Sequence, residues 1–265
     1  MPTPKLFELT YTKVQAFRSC PKKYWFKYLS GEPTPPDVIT PAGLIGNGVH
    51  RAMKVLGETG DQEAGASELD AYLRMPDHLI CGPGTLWYDS AFEIYGNGVT
   101  AHTSIGSARQ QVERKTHAPD PERGFTIWSK IDRIDQLDDG SWQIIDWKTG
   151  KRDSDEETDE QLDLAHVALR RVERRIPADS DVDAIAWNLR SGRRRVRRLS
   201  PSHAAGTMRR YFLMFQKMAA AQEADGPWEA LPGPICSFCE WRPKCPEGGA
   251  LPAPLAGLLD EEPEE

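Results

Sequence analysis

The stretch "IIDWKTGK", residues 144–151, places an acid and a base at the end of a strand that is apolar enough to be buried. Successive side chains of a strand point to opposite faces, so Asp146 and Lys148 should share one face while Trp147 packs on the other. The preceding segment "SKIDRID" carries Asp132 and is joined to this strand by the turn "DDGS". A hairpin of this kind brings two carboxylates and one ammonium together.

The elements around this hairpin predict an α/β fold with a central mixed sheet flanked by helices. Helix patterns cover residues 10–31 with a break or bend at Pro21, 43–60, 86–104, 161–172 and a long segment after Ser200. Strand patterns cover residues 109–118 and 124–137, and a second hairpin over 181–200 turns at Ser191-Gly192.

The size and composition suit one large domain, or one domain with a small appendage. The chain has 265 residues, of which 39% are apolar and 28% charged, so a sizeable core is possible. We expect a single domain over residues 1–245 and a disordered acidic tail over 246–265. The N-terminus has no apolar signal region and no apolar run approaches membrane-spanning length, which predicts a soluble, cytoplasmic protein without membrane contact.

Charge is distributed unevenly along the chain. The net charge of −7 argues against a uniformly basic nucleic-acid binder. Arginines nevertheless cluster in residues 170–175 and 190–198, and either cluster could contact phosphates. The alternative is that the second cluster is a solvated edge strand, where charge prevents aggregation.

The paired acids suit a divalent cation. Oxygen ligands from Asp132 and Asp146 favour Mg²⁺ or Mn²⁺, and an ion there could activate a water against a phosphodiester. Lys148 could orient that water or stabilise charge on the phosphate. The alternative is a simple ion pair between Asp146 and Lys148 at the rim of the sheet.

Asp132 followed by Asp146-Trp147-Lys148-Thr-Gly resembles the core of the PD-(D/E)XK nuclease superfamily, and it is most similar to the RecB-like exonuclease branch. Three further motifs fit that branch: "GNGVHRAM" with His50, "QVERK" with Glu113 and "EQLDLAHVAL" with Gln161. The resemblance covers most of the chain, from Thr10 to Cys245.

The resemblance implies a catalytic group that consists of six residues: His50, Glu113, Asp132, Asp146, Lys148 and Gln161. Of these, His50, Asp132 and Asp146 would bind the metal. The sequence departs from the branch at Ala165, where an aromatic residue often follows the helix glutamine. This departure leaves substrate contacts on that helix open.

Four of the five cysteines form a pattern. Cys236, Cys239 and Cys245 are spaced as C-x2-C-x5-C, and Cys20 can supply a fourth thiolate. Thiolate geometry alone fits Zn²⁺ or an iron–sulfur cluster, and three unrelated buried thiols are the remaining alternative. The layout resembles that of the iron–sulfur RecB-like nucleases, which include AddB-type subunits and small CRISPR-associated exonucleases, and this implies a 4Fe–4S cluster. Cys81 is left over as an ordinary thiol.

These features predict a metal-dependent DNA exonuclease that prefers single-stranded or free ends, in repair, recombination or defence. No G-x-x-x-x-G-K-[ST] motif is present, so any unwinding would come from a helicase or another CRISPR or repair partner. Trp128, Trp187 and Trp241 could stack bases, although core packing is the alternative for each. Two other hypotheses stay open: a non-catalytic subunit that binds DNA ends, and a structural protein stapled by zinc.

Overall fold

A computed structural model describes residues 6–35, 39–151, 155–224 and 228–249. The chain divides into two compact units, one of Met1–Glu8 with Ile39–Arg209 and the other of Leu9–Val38 with Arg210–Glu265. Most of the predicted tail lies outside the described residues, and its first part forms the short helix Pro246–Gly249. No helix in the described ranges is long and apolar enough to cross a membrane.

Within the described residues the sheet has six strands: β1 (Phe7–Thr10), β2 (Arg109–Asp120), β3 (Phe125–Gln136), β4 (Trp142–Lys148), β5 (Val182–Asn188) and β6 (Arg194–Leu199). The order is β1-β3-β4-β5-β6, and β2 pairs with β3 outside this path. The β4–β5 pair is parallel, whereas β2–β3, β3–β4 and β5–β6 are antiparallel. The predicted mixed sheet is therefore confirmed.

The helices are α1 (Tyr11–Ser19), α2 (Pro21–Tyr28), α3 (Pro41–Thr59), α4 (Gln62–Leu73), α5 (Leu86–Thr103), α6 (Asp155–Val172), α7 (Pro201–Glu223) and α8 (Pro246–Gly249). The break predicted at Pro21 separates α1 from α2, because proline can begin a helix but cannot continue one. Three of these elements, β1, α4 and α8, were not predicted, and α8 lies in the segment that was predicted as a disordered tail. Helix α6 begins at Asp155, ahead of the predicted start at Gln161, so part of the acidic run forms its first turns.

The two faces of the sheet carry different helices. Ile145, Trp147 and Ile185 pack against α3, α4 and α5 in one apolar cluster. Ile144 and Ala184 face the other way and pack against α6. Trp147 is thus buried on the face opposite to its neighbours in sequence, as the strand alternation predicts.

The β2–β3 hairpin extends beyond β4. Strand β2 pairs with β3 along residues 125–136, whereas β4 pairs only with residues 133–136. The extension packs on α6, where Arg171 contacts Asp120 at 3.1 Å and Arg114 contacts Glu173 at 3.1 Å. At the start of the extension, Glu113 has a φ of 50°, in the left-handed region.

A buried charge network fastens β3 to α5. The Arg133 side chain, which is only 1% exposed, donates to both carboxylate oxygens of Asp135 at 2.9 Å. The same guanidinium lies 2.8 Å from Nδ1 of His102. Buried charges are tolerated in such a network because each has a partner.

The second unit joins both ends of the chain. Trp241 is fully buried and stacks on Phe26, with ring centroids 5.2 Å apart and planes within 9°. Lys22 pairs with Glu247 at 2.7 Å, and the backbone N–H of Leu231 donates to Sγ of Cys20 at 3.5 Å. A segment rich in proline and glycine is thereby held against α2.

Candidate active site

Three carboxylates lie in one row across neighbouring strands. Val112 pairs with Arg133 and Arg114 with Ile131, so Glu113 lies opposite Asp132. The pairing of Arg133 with Ile145 then places Asp146 beside Asp132 on the next strand. The sheet register, and not proximity in the sequence, brings these acids together.

His50 completes a compact group of metal-ligating atoms. Donor atoms of His50, Glu113 and Asp132 all lie within 4.8 Å of one another, and Nδ1 of His50 is 3.5 Å from Oδ2 of Asp132. Asp146 is not among the described residues that meet this criterion. The ligand set of His50, Asp132 and Asp146 therefore stays a prediction, and the compact group contains Glu113 in the place of Asp146.

Burial sets the protonation of this group. The pKa of Asp132 is raised to about 7, mainly because the side chain is buried. The backbone N–H of Trp147, which donates to Oδ2 of Asp132 at 2.9 Å, opposes the rise, and the Glu113 carboxylate contributes to it. Burial also lowers the pKa of His50, against the pull of nearby Asp146 and Glu113. A neutral imidazole is the form that binds a metal.

Asp146 and Lys148 form a pair on the α6 side of the sheet. Nζ of Lys148 lies 2.7 Å from Oδ2 of Asp146 and donates to Oε1 of Gln161 at 3.2 Å. Oδ2 of Asp146 is buried, and the Lys148 ammonium is its charged partner. Burial and the adjacent Asp132 raise the pKa of Asp146 to about 6, against the effect of Lys148.

Helix α6 contributes little else to this site. Ala165 and His166, which follow Gln161 by one turn, are both buried in the core. The departure at Ala165 thus leaves a packing residue where the resemblance would place an aromatic side chain.

Two residues of the site were missed by the sequence analysis. Lys130, two positions before Asp132, forms an ion pair with Glu113. Asn188 lies beside Lys148 in the parallel pair, and its amide donates to the Gly150 carbonyl at 2.9 Å. Asn188 thereby orders the Thr-Gly turn after β4. Its position after an apolar strand was the only available signal.

The donor set fits a divalent cation of the Mg²⁺ or Mn²⁺ type. It supplies carboxylate oxygens with one imidazole nitrogen and no thiolate. The Asp146 carboxylate, one strand away and paired with Lys148 at 2.7 Å, is a further oxygen donor of the kind that such an ion prefers.

The four patterned cysteines line one cavity of the second unit. The cavity is walled by apolar side chains, including Phe26, Leu231, Ile235 and Trp241, and also by Cys20, Cys236, Cys239 and Cys245. No three cysteine sulfurs among the described residues lie within 4.8 Å of one another. A tetrahedral zinc site, with Zn–S bonds of about 2.3 Å, places sulfurs about 3.8 Å apart. Cys81 is buried in the other unit, as an ordinary core thiol.

The arginine clusters are largely engaged within the protein. Arg195 pairs with Asp159, and Arg197 contacts Asp163 at 3.0 Å, so β6 is attached to α6. Arg170 donates to the backbone carbonyls of Ala178 and Ser180 in the loop between α6 and β5, and Arg175 pairs with Glu173 at 2.6 Å. These side chains make poorer phosphate contacts than their sequence clusters suggested.

Comparisons with known proteins agree with this geometry. The family model described as the PD-(D/E)XK nuclease superfamily matches residues 8–246. The crystal structure of a candidate exonuclease from Eubacterium rectale superposes with a TM-score of 0.55 at 11% identity and covers 84% of each chain, which shows a shared fold. The structure of SSO0001 reaches a TM-score of 0.35 at 13% identity over 85% of this chain and 93% of that one, too low to support an argument. No curated protein matches the sequence.

Proposed function

Because the chain belongs to the PD-(D/E)XK nuclease superfamily, we propose that it is a metal-dependent DNA exonuclease that prefers single-stranded or free ends. The observation that carries the proposal is the convergence of His50, Glu113 and Asp132 within 4.8 Å. On the neighbouring strand, Nζ of Lys148 lies 2.7 Å from Oδ2 of Asp146. Acids, an imidazole and an ammonium in this arrangement suit hydrolysis of a phosphodiester.

The metal would be held by His50, Glu113 and Asp132, with Asp146 as the further acid. A bound Mg²⁺ or Mn²⁺ supplies Lewis-acid polarisation of the phosphodiester and a more acidic water. Lys148, held between Asp146 and Gln161, keeps its ammonium beside the acids, where it stabilises negative charge that develops on the phosphate. Asp132, which accepts the Trp147 N–H, keeps its carboxylate oriented at the point where β3 and β4 separate.

We assign the chain to the RecB-like branch and Cys20, Cys236, Cys239 and Cys245 to a 4Fe–4S cluster. The likeness of the cysteine layout to that of the iron–sulfur RecB-like nucleases favours the cluster over zinc, and the four cysteines line one apolar-walled cavity, as either group requires. The cluster would cross-link the first helices to the C-terminal segment and contribute to folding. The nuclease domain on this assignment includes both cysteine segments and covers residues 1–245.

The colour and metal content of the protein test the cluster. Protein purified without oxygen should be brown and contain iron and acid-labile sulfide, and Cys20→Ala should lose both. A colourless wild type with stoichiometric zinc would support the zinc alternative and overturn the cluster.

An end-labelled oligonucleotide tests the nuclease. Wild type should degrade a linear single strand with Mn²⁺ and not with EDTA, and it should spare a circular single strand. Asp146→Asn should lose this activity. Asp183→Asn is the matched control, because Asp183 lies on β5 and pairs with Arg198 at 3.2 Å, outside the acid row.

Three results would contradict the proposal. If wild type cleaved equally well with EDTA, the reaction would not depend on a metal. If Asp146→Asn cleaved as well as wild type, the acids described here would not be the active site. Tight binding of strand ends with no cleavage in any metal would instead support an accessory subunit of a repair or CRISPR adaptation complex. A helicase partner, which the missing motor suggests, would be identified by co-purification.

A further inference from the structure

The outer face of the β2–β3 hairpin carries polar and aromatic pairs in an ordered series that begins at the acids. Next to the Glu113 and Asp132 positions, Lys115 pairs directly with Lys130. One step further along, His117 pairs with Trp128. Side chains two residues apart share a strand face, so both pairs lie on one surface.

The two lysines are an unfavourable pair for folding alone. Lys115 is exposed, and the Lys130 side chain is 53% exposed although it contacts Glu113. Like charges directly opposite each other in an antiparallel pair are destabilising. Two ammonium groups beside a hydrolytic site are favourable once a phosphate lies between them.

The His117 and Trp128 rings form an open aromatic surface beyond the lysines. Their centroids are 5.7 Å apart and their planes are inclined at 55°. His117 is exposed and Trp128 is half-buried, so neither ring is enclosed in the core. Exposed rings of this kind stack on unpaired bases.

The other face of the hairpin is anchored. Thr116, Ala118 and Asp120 alternate with the exposed residues and are buried. The hydroxyl of Thr116 donates to the Ser129 carbonyl at 3.0 Å, and Asp120 pairs with Arg171 of α6. The lysine and aromatic pairs are therefore presented on a backbone that is held in place, which lowers the entropic cost of binding.

We propose that this face, formed by Lys115, Lys130, His117 and Trp128, is the track along which a single DNA strand runs to the acids. The lysine pair binds a backbone phosphate next to the one that is hydrolysed, and Trp128 with His117 stacks a base of the same strand. This inference rests on the proposed nuclease function and adds the contacts that select an unpaired strand.

The spacing along the strands suits this series. Two residues of a β-strand advance by about 6.6–6.8 Å, so the lysine pair lies about 7 Å from the acid row and the ring pair about twice as far. The track is thus continuous with the site. The arginine-rich β6 strand is a weaker candidate, because Arg195 and Arg197 are bound to α6.

Binding of a labelled oligothymidylate longer than about 16 nucleotides, measured in EDTA, tests the track. Lys115→Gln should weaken binding and, because it removes one ammonium that neutralises a phosphate, lower the slope of log K against log salt by about 0.7. Trp128→Ala should weaken binding about 5- to 150-fold, and Trp128→Phe should retain most of it. Because Lys130 also contacts Glu113, Lys115 and Trp128 carry the test.

Matched controls and a length series separate the track from the nuclease. Lys54→Gln replaces a lysine on α3 that pairs with Glu58 at 3.7 Å, and it should bind as wild type. In the Mn²⁺ cleavage assay, Lys115→Gln should raise KM, and the rise should be larger for a long strand than for a dinucleotide. Circular dichroism of each variant verifies folding.

The outcomes distinguish the two proposals. A wild type that neither binds nor cleaves would overturn the nuclease and the track together. A wild type that does both, with folded Lys115→Gln and Trp128→Ala variants that match it at every length, would overturn only the track. Equal weakening by Lys54→Gln would also overturn it, because the effect would then be one of total charge.

Discussion

At Glu113, the backbone conformation predicts that a glycine variant is more stable than an alanine variant, which is the reverse of the order at an ordinary strand residue. Glu113 is the only described residue other than glycine with a positive φ, at 50°. Glu113→Ala and Glu113→Gly both remove the carboxylate and the ion pair with Lys130. The two variants therefore differ only in how well they adopt the left-handed region.

The magnitude follows from two opposing terms. In an ordinary strand, glycine is less stable than alanine by about 0.5–1 kcal/mol, because it loses more conformational freedom on folding. In the left-handed region, an L-residue with a Cβ costs about 1–2 kcal/mol that glycine does not incur. We therefore expect Glu113→Gly to be more stable than Glu113→Ala by about 1 kcal/mol.

Urea unfolding of both variants in metal-free buffer measures the difference. A higher midpoint for Glu113→Gly at an unchanged m-value, and a Tm higher by about 2–4 °C, is the expected result. Lys115→Gly against Lys115→Ala, two positions along the same strand, is the control and should show the usual order. Equal or greater stability of Glu113→Ala would refute the left-handed backbone at this position.

Three further predictions concern Lys148 beside the acids, the buried Arg133–Asp135 network and the buried His166. Lys148→Ala should lower kcat about 100- to 1000-fold in the Mn²⁺ assay, with Lys54→Ala unaffected, and a smaller loss would remove Lys148 from charge stabilisation. Arg133→Met should destabilise the fold by about 3–5 kcal/mol in urea unfolding, because Asp135 is left buried without its cationic partner. The double variant Arg133→Met/Asp135→Leu should recover most of the lost stability, and a double variant as unstable as Arg133→Met would contradict the network. Burial, Arg170 and His203 lower the pKa of His166 to about 4, against Asp163, so the unfolded state binds more protons between pH 6.5 and 4 and wild type loses stability as the pH falls through that window. His166→Leu should lose less stability between pH 7 and 4.5, and parallel losses would show that the ring is not buried neutral.

Much of the core was predictable because its signals are local. The acid-base strand, the tight turn before it and the second hairpin follow from alternation and turn residues, and each lies where it was predicted. The short strand β1 was missed, because four residues have no period to detect and become a strand only by pairing. Helix α4 carried a signal that was overlooked, since Asp61 caps it with two hydrogen bonds.

Other features of the site depend on partners that are distant in the sequence. The arginines of β6 were predicted as a possible phosphate surface, but Asp155, Asp159 and Asp163 recur at a helical spacing on α6 and pair with Arg195 and Arg197. The resemblance placed Glu113 in the catalytic group, but its left-handed φ and its contact with Lys130 come from the way the hairpin leaves the sheet.

The sequence by itself determined which side chains are able to do the chemistry and in what order they occur, because residue type and short spacing are properties of a local segment. Only the tertiary structure decided that His50, Glu113 and Asp132 meet, since the register of three strands and the packing of α3 are set by contacts between residues far apart in the chain. The tertiary structure also decided which lysine and arginine side chains form internal ion pairs and which stay exposed along the hairpin. Those outcomes depend on long-range pairing, which leaves no trace in any single window of the sequence.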